Sequence, residues 1–148
     1  MGLDQYAYQV VTELPEEAVP HPQYEGTYTV SEDEWYDPEL VDEKPTGRYL
    51  TLVSQWRKHP NLHGFMAHQW AKATGEKQGD FNCVKFPLTI GIIDELQSFV
   101  ENQLLPDTQG FFFGEDADEH YKEQDLEFCK KAREILTAGG EVLYDSWW

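Results

Sequence analysis

Cationic, imidazole and aromatic side chains crowd together over Trp56-Arg57-Lys58-His59-Pro60-Asn61-Leu62-His63-Gly64-Phe65-Met66. A guanidinium offers phosphate a planar fork, an ammonium adds a point charge, an imidazole contributes a further hydrogen bond, and an aromatic ring stacks on a base. Trp56, Arg57, Lys58, Asn61 and His63, joined by Phe112 from a later aromatic run, therefore form a candidate site for a small anionic, nucleotide-like ligand. The same residues admit a plainer reading, in which Arg57 and Lys58 pair with carboxylates, Trp56 is core and His63 is a hydrogen-bonded buried imidazole.

Other chemistry has less to stand on. His59 and His63 have the i, i+4 spacing of a helical metal pair, but Pro60 lies between them and no third ligand is placed, so no metal site is expected. Cys83 near His63 or His68 lacks an oxyanion site and reads as a structural thiol in a strand. No catalytic set and no cofactor motif emerge. An enzyme acting on a nucleotide is accordingly only a third reading.

The elements that must position these residues follow from periodicity and breakers. Tyr49, Leu52, Val53 and Trp56 recur at i, i+3, i+4 and i+7, which predicts a helix. Pro60 then opens a second helix through Leu62, Phe65, Met66 and Trp70, closed by Gly75 and Gly79. Asn82–Leu88 reads as a short buried strand, Thr89 as the N-cap of a helix to Leu105, and Gly110–Gly114 as an apolar strand. A further helix carries Tyr121, Leu126, Cys129, Ala132 and Ile135 up to Gly139, and the chain closes in a strand ending Tyr144-Asp145-Ser146-Trp147-Trp148. Its tryptophans predict that this tail docks rather than frays, with Val142, Tyr144 and Ser146 on one face.

The expected class is α+β (or α/β), a small mixed sheet covered by about three helices. Residues 1–47 read as an extended acidic arm, partly strand or irregular, and 48–148 as a compact domain expected to fold without it. At 148 residues the chain is long enough for one substantial core.

Charge is distributed unevenly. The chain carries −17 overall, and residues 1–48 hold twelve acids against Lys44 and Arg48. Such a surface disfavours nucleic acid and anionic membrane and favours a basic protein. Glu32, Asp33, Glu34, Trp35 and Tyr36 set two aromatics inside an acidic run, a candidate protein-binding motif. An acidic inhibitor that mimics nucleic acid and occupies a basic groove on a host protein is thus the alternative function, and a second copy of the chain is a further candidate partner. Two cysteines, no basic–apolar leader and no 18-residue apolar run predict a reducing cytoplasm.

Several motifs in one order carry a resemblance over residues 49–148. Trp56-Arg57-Lys58 followed by Leu62-His63, then Pro106-Asp107-Thr108-Gln109-Gly110-Phe111-Phe112-Phe113-Gly114, Tyr121, and the ending Tyr144-Asp145-Ser146-Trp147 resemble a family of small bacteriophage proteins. Pro60 departs from that pattern, shifting the asparagine to Asn61, and Gln55 stands where the family has tyrosine. The resemblance implies a phage accessory protein in the cytoplasm of a bacterial host. Read with the cationic cluster, it suggests counter-defence by sequestering a nucleotide-derived signal, which needs binding alone.

Overall fold

A computed structural model describes residues 2–108 and 117–148. Its frame is a seven-stranded sheet in the order β2-β3-β4-β5-β1-β7-β6, every pairing antiparallel. In chain order the strands are β1 (Asp4–Val11), β2 (Val19–Pro20), β3 (Tyr28–Ser31), β4 (Glu34–Val41), β5 (Lys44–Arg57), β6 (Phe86–Pro87) and β7 (Glu141–Trp147). Helices α1 (Pro60–Thr74), α2 (Ile90–Glu101) and α3 (Ala117–Thr137) complete the α+β fold. The sheet is antiparallel among the described residues, not mixed: hairpins join β2 to β5 in succession, and the long-range pairs β5-β1, β1-β7 and β7-β6 are antiparallel too. The strand expected at Gly110–Gly114, with Phe112, lies outside the described residues.

The segment predicted as a helix over Tyr49–Trp56 is instead part of the 14-residue strand β5. The physical reason is a bulge. Tyr8 pairs with Leu52 and Ala7 with Ser54, so Val53 is an extra residue that flips the side-chain phase halfway along the strand. Leu50 and Leu52 thus point to one face, whereas Trp56, opposite Gln5, points to the other. Two strand halves in opposite phase imitate a 3.6-residue repeat, and the β-branched and aromatic content, which favours strand, decides the matter.

β1 lies between β5 and β7, so the N-terminal segment supplies a central strand, and the boundary between residues 47 and 48 falls inside β5. Arg48 ties this region together through a forked pair to Glu39 at 2.8 and 3.0 Å and a bond to Glu141 at 3.0 Å. That guanidinium holds the Glu39 carboxyl below its usual range.

All three helices share a core with one face of the sheet, built from Ala7, Trp56, Leu62, Phe65, Phe81, Ile93, Leu96, Phe128 and Tyr144. On the opposite face Tyr8, Val10, Leu50 and Leu143 form a smaller cluster. Helix α1 begins with Pro60 in its first turn and ends on Gly75 in the left-handed region, φ 80°. Helix α2 is capped by Thr89, whose hydroxyl accepts the Ile92 N–H at 3.2 Å. The C-terminal strand is docked: Val142, Tyr144 and Ser146 are buried together, and Trp148 donates its indole N–H to the Phe81 carbonyl at 3.0 Å. No helix among the described residues is long and apolar enough to cross a membrane.

Candidate functional site

Where β5 ends and α1 begins, the cationic segment splits by direction. Trp56 faces the helices at 1% exposure and donates its indole N–H to Asp125 Oδ1 at 2.9 Å. Arg57 points outward, its side chain 73% exposed and 3.8 Å from Asp4. Lys58, exposed at φ 58°, makes the tight turn into the helix and gives its backbone N–H to the Leu3 carbonyl at 2.8 Å. A non-glycine residue in that left-handed region is costly, and the strand–helix corner imposes it.

Behind the turn lies a buried polar network absent from the sequence reading. His59, wholly buried, donates Nε2–H to Asp125 Oδ2 at 2.7 Å, while its ring stacks on Tyr121 at 4.9 Å. Its Nδ1 stands 3.7 Å from Asp118 Oδ1, and neither atom has a hydrogen-bond partner among the described residues. Gln5 clamps the His59 backbone from both sides, accepting its N–H at 2.9 Å and donating to its carbonyl at 3.0 Å. Burial raises the Asp125 carboxyl above its usual range, and the bonds from His59 and Trp56 oppose that rise. With His59 and Asp125 sealed from solvent, the pair is a brace between α3 and the strand–helix corner.

The signal for this brace was present in the sequence. Asp125 falls in the apolar stripe of α3, between Tyr121 and Phe128-Cys129, where a carboxylate requires partners. Asn61 belongs to the same corner: it donates to Asp118 Oδ2 at 3.0 Å and accepts the Thr108 N–H at 2.9 Å. The i, i+4 histidines part company, since His59 turns toward α3 and His63 toward Tyr144. Among the described residues no group of three potential metal ligands converges.

His63 borders a cleft of about 720 Å³ on the flank of α1. Its Nδ1 lies 3.1 Å from the Tyr144 hydroxyl, which also accepts from Gln5 at 3.0 Å. Desolvation lowers the His63 pKa to about 4, which keeps the ring neutral. The imidazole stacks on Phe81 at 5.4 Å and meets Trp148 edge-on at 6.3 Å.

Phe65, Phe99 and Trp148 supply the apolar walls of the cleft, and His68, Gln78, Glu95 and Asp107 its polar rim. At Gly64 the helix runs so close to the 106–108 segment that an added Cβ would collide with Thr108 Oγ1. Glycine is what permits this approach. Of the residues singled out from sequence, His63 lines the cleft, Trp56 and Asn61 join the buried corner, Arg57 and Lys58 face solvent, and Phe112 lies outside the described residues.

The two cysteines occupy different surroundings. Cys129 is buried in α3, and burial pushes its thiol up to about 12. Cys83 is exposed in the loop before β6 rather than in a strand, at φ 59°.

In the hairpin arm, Glu32 and Asp33 form the exposed turn between β3 and β4, and Tyr36 is buried with its hydroxyl donating to Glu34 at 2.8 Å. Trp35 faces the opposite way and borders a second cleft, of about 350 Å³. Comparison with protein-family models, with curated proteins and with solved structures gave no match for the chain.

Proposed function

We propose that the protein captures a small planar organic molecule, a nucleobase or nucleoside moiety, in the cleft beside α1. The observation that carries this reading is the combination of volume and lining. About 720 Å³ suits a small-molecule ligand, aromatic walls offer stacking surfaces, and a few polar groups at the rim can fix orientation.

The charge of the lining refines the ligand. Glu95 and Asp107 border the cleft, and no lysine or arginine does among the described residues, so the part that enters is neutral or carries N–H donors. Lys72, one helical turn beyond His68, and Lys77, beside Gln78, are exposed at that end of the cleft. A phosphate on the same molecule would meet them outside the mouth. Arg57 and Lys58 supported an anionic ligand in the sequence; both face solvent and neither lines the cleft, so this reading gives that role to Lys72 and Lys77.

Capture needs binding alone: His59 and Asp125 are sealed from solvent, and burial keeps the Cys129 thiol protonated. The phage-like motifs support reading such capture as sequestration of a nucleotide-derived signal in an infected cell. Native mass spectrometry of the purified protein, incubated in turn with nucleosides, linear nucleotides and cyclic nucleotides, provides the test. An adduct retained by the wild type and lost in Lys72→Ala/Lys77→Ala for the phosphorylated ligands alone is the expected pattern. Absence of any adduct at millimolar ligand sinks the proposal.

A further inference from the structure

The arm β2–β3–β4 holds a second site of different chemistry. Its residues align in two rungs on one face of the sheet. The His21 N–H bonds to the Thr27 carbonyl at 2.7 Å, and the Thr27 hydroxyl donates to Asp37 Oδ1 at 2.7 Å. In the next rung Val19 pairs with Thr29 and Thr29 with Trp35. Alternation therefore sets Thr27, Trp35 and Asp37 on a common face, while Tyr28 and Tyr36 turn to the other.

The turn after β2 closes the site. His21 Nδ1 accepts the N–H groups of Gln23 and Tyr24 at 3.0 and 3.3 Å, which folds the Tyr24 ring back to 4.8 Å from the imidazole. The result is a cleft of about 350 Å³ lined by His21, Tyr24, Thr27, Trp35 and Asp37, with Tyr24 63% exposed at its lip. Two electron-rich ring systems beside a carboxylate attract a cation. Around them, residues 12–43 carry eleven acids and no lysine or arginine.

We propose that this cleft receives a lysine or arginine side chain presented by a basic protein segment. Half the volume of the cleft beside α1 suits one long side chain, and the surrounding acids steer a basic surface toward it. Docking is by side-chain insertion, not by strand addition. The edge strand β2 is two residues long, ends in Pro20 and is followed by Pro22, which lacks the donor that a ladder needs.

The test uses the full chain and a fluorescent peptide of alternating arginine and glycine, with its citrulline counterpart as the neutral probe, followed by anisotropy at low salt and near-physiological salt. Wild type is expected to bind the arginine peptide and not the citrulline one. Trp35→Ala and Asp37→Asn are each expected to weaken binding about tenfold, the change equivalent to about 1.4 kcal/mol. Neutralising Glu16 and Glu17 to Gln, a change outside the cleft, is expected to lower affinity by less and to flatten the salt dependence. Should Trp35→Ala fail to fold, Tyr24→Ala decides, because that ring is on the surface. Equal binding of the two peptides overturns the proposal, and so does arginine-peptide binding that Tyr24→Ala and Asp37→Asn leave unchanged. Neither result bears on ligand capture beside α1.

Discussion

Asp125 sits in the middle of an apolar helix face, yet it receives both the Trp56 indole and the His59 imidazole. Removing the carboxylate strands two buried donors, and leaving buried partners uncompensated costs several kcal/mol. Asp125→Ala is therefore expected to lower stability by about 3 kcal/mol or more, read by chemical denaturation, with Asp125→Asn intermediate because it keeps one acceptor. A loss under about 1 kcal/mol for the alanine variant would show the network to be incidental.

His63 gives a prediction in pH. Its pKa falls from the ordinary 6.5 to about 4, so the unfolded chain binds the proton more readily than the folded one. That contribution is fully present above pH 6.5 and is lost as pH falls toward 4, amounting to about 3 kcal/mol. Asp125 and Asp145, both raised by burial, act with the opposite sign, since protonation relieves their desolvation. The informative quantity is thus the difference between wild type and His63→Gln. The wild type should lose stability relative to the variant on acidification across that window. A difference curve that stays flat would mean that the imidazole is not held neutral by the fold.

At the scale of elements, three helices were legible because their signals are local. Pro60 and Gly75 bracket α1, Thr89 caps α2, and the stripe from Tyr121 to Ala132 identifies α3. Strand β5 was not legible, because the bulge at Val53 is set by pairing with Ala7 and Tyr8, some 45 residues away in sequence. The site shows the same division. His63 was accessible to sequence reasoning, whereas His68, Gln78, Glu95, Asp107 and Trp148 reach the cleft from five separate segments. The close approach of Gly64 to the Thr108 side chain can be tested. Gly64→Ala forces the 106–108 segment away from α1 and is expected to cost about 1–3 kcal/mol, visible as a lowered melting temperature. An unchanged melting temperature would mean that Thr108 moves aside without loss.

The whole molecule combines a helix-covered sheet with a strongly acidic extension whose strands are continuous with it. Because β1 pairs with both β5 and β7, deleting residues 1–47 removes a central strand and is expected to abolish cooperative unfolding. Replacing residues 13–47 by a short turn is different, since Val11 already faces Tyr49 and the two strands would close as a hairpin. That variant is expected to remain folded, with β5 as the new edge. Circular dichroism and thermal melts distinguish the two, and cooperative melting of the first deletion would contradict the assigned sheet order.

Ligand capture in the cleft beside α1 is tested most directly by titration calorimetry with and without a block at its mouth. Gly79 lines the cleft, is exposed, and has open space where a Cβ would stand, so Gly79→Phe fills the entrance without disturbing the core. A nucleoside or nucleotide that binds the wild type should lose at least tenfold in affinity to Gly79→Phe, about 1.4 kcal/mol, while both proteins melt alike. Binding of equal strength to both proteins, or binding by neither, would contradict the assignment of the cleft as the functional site.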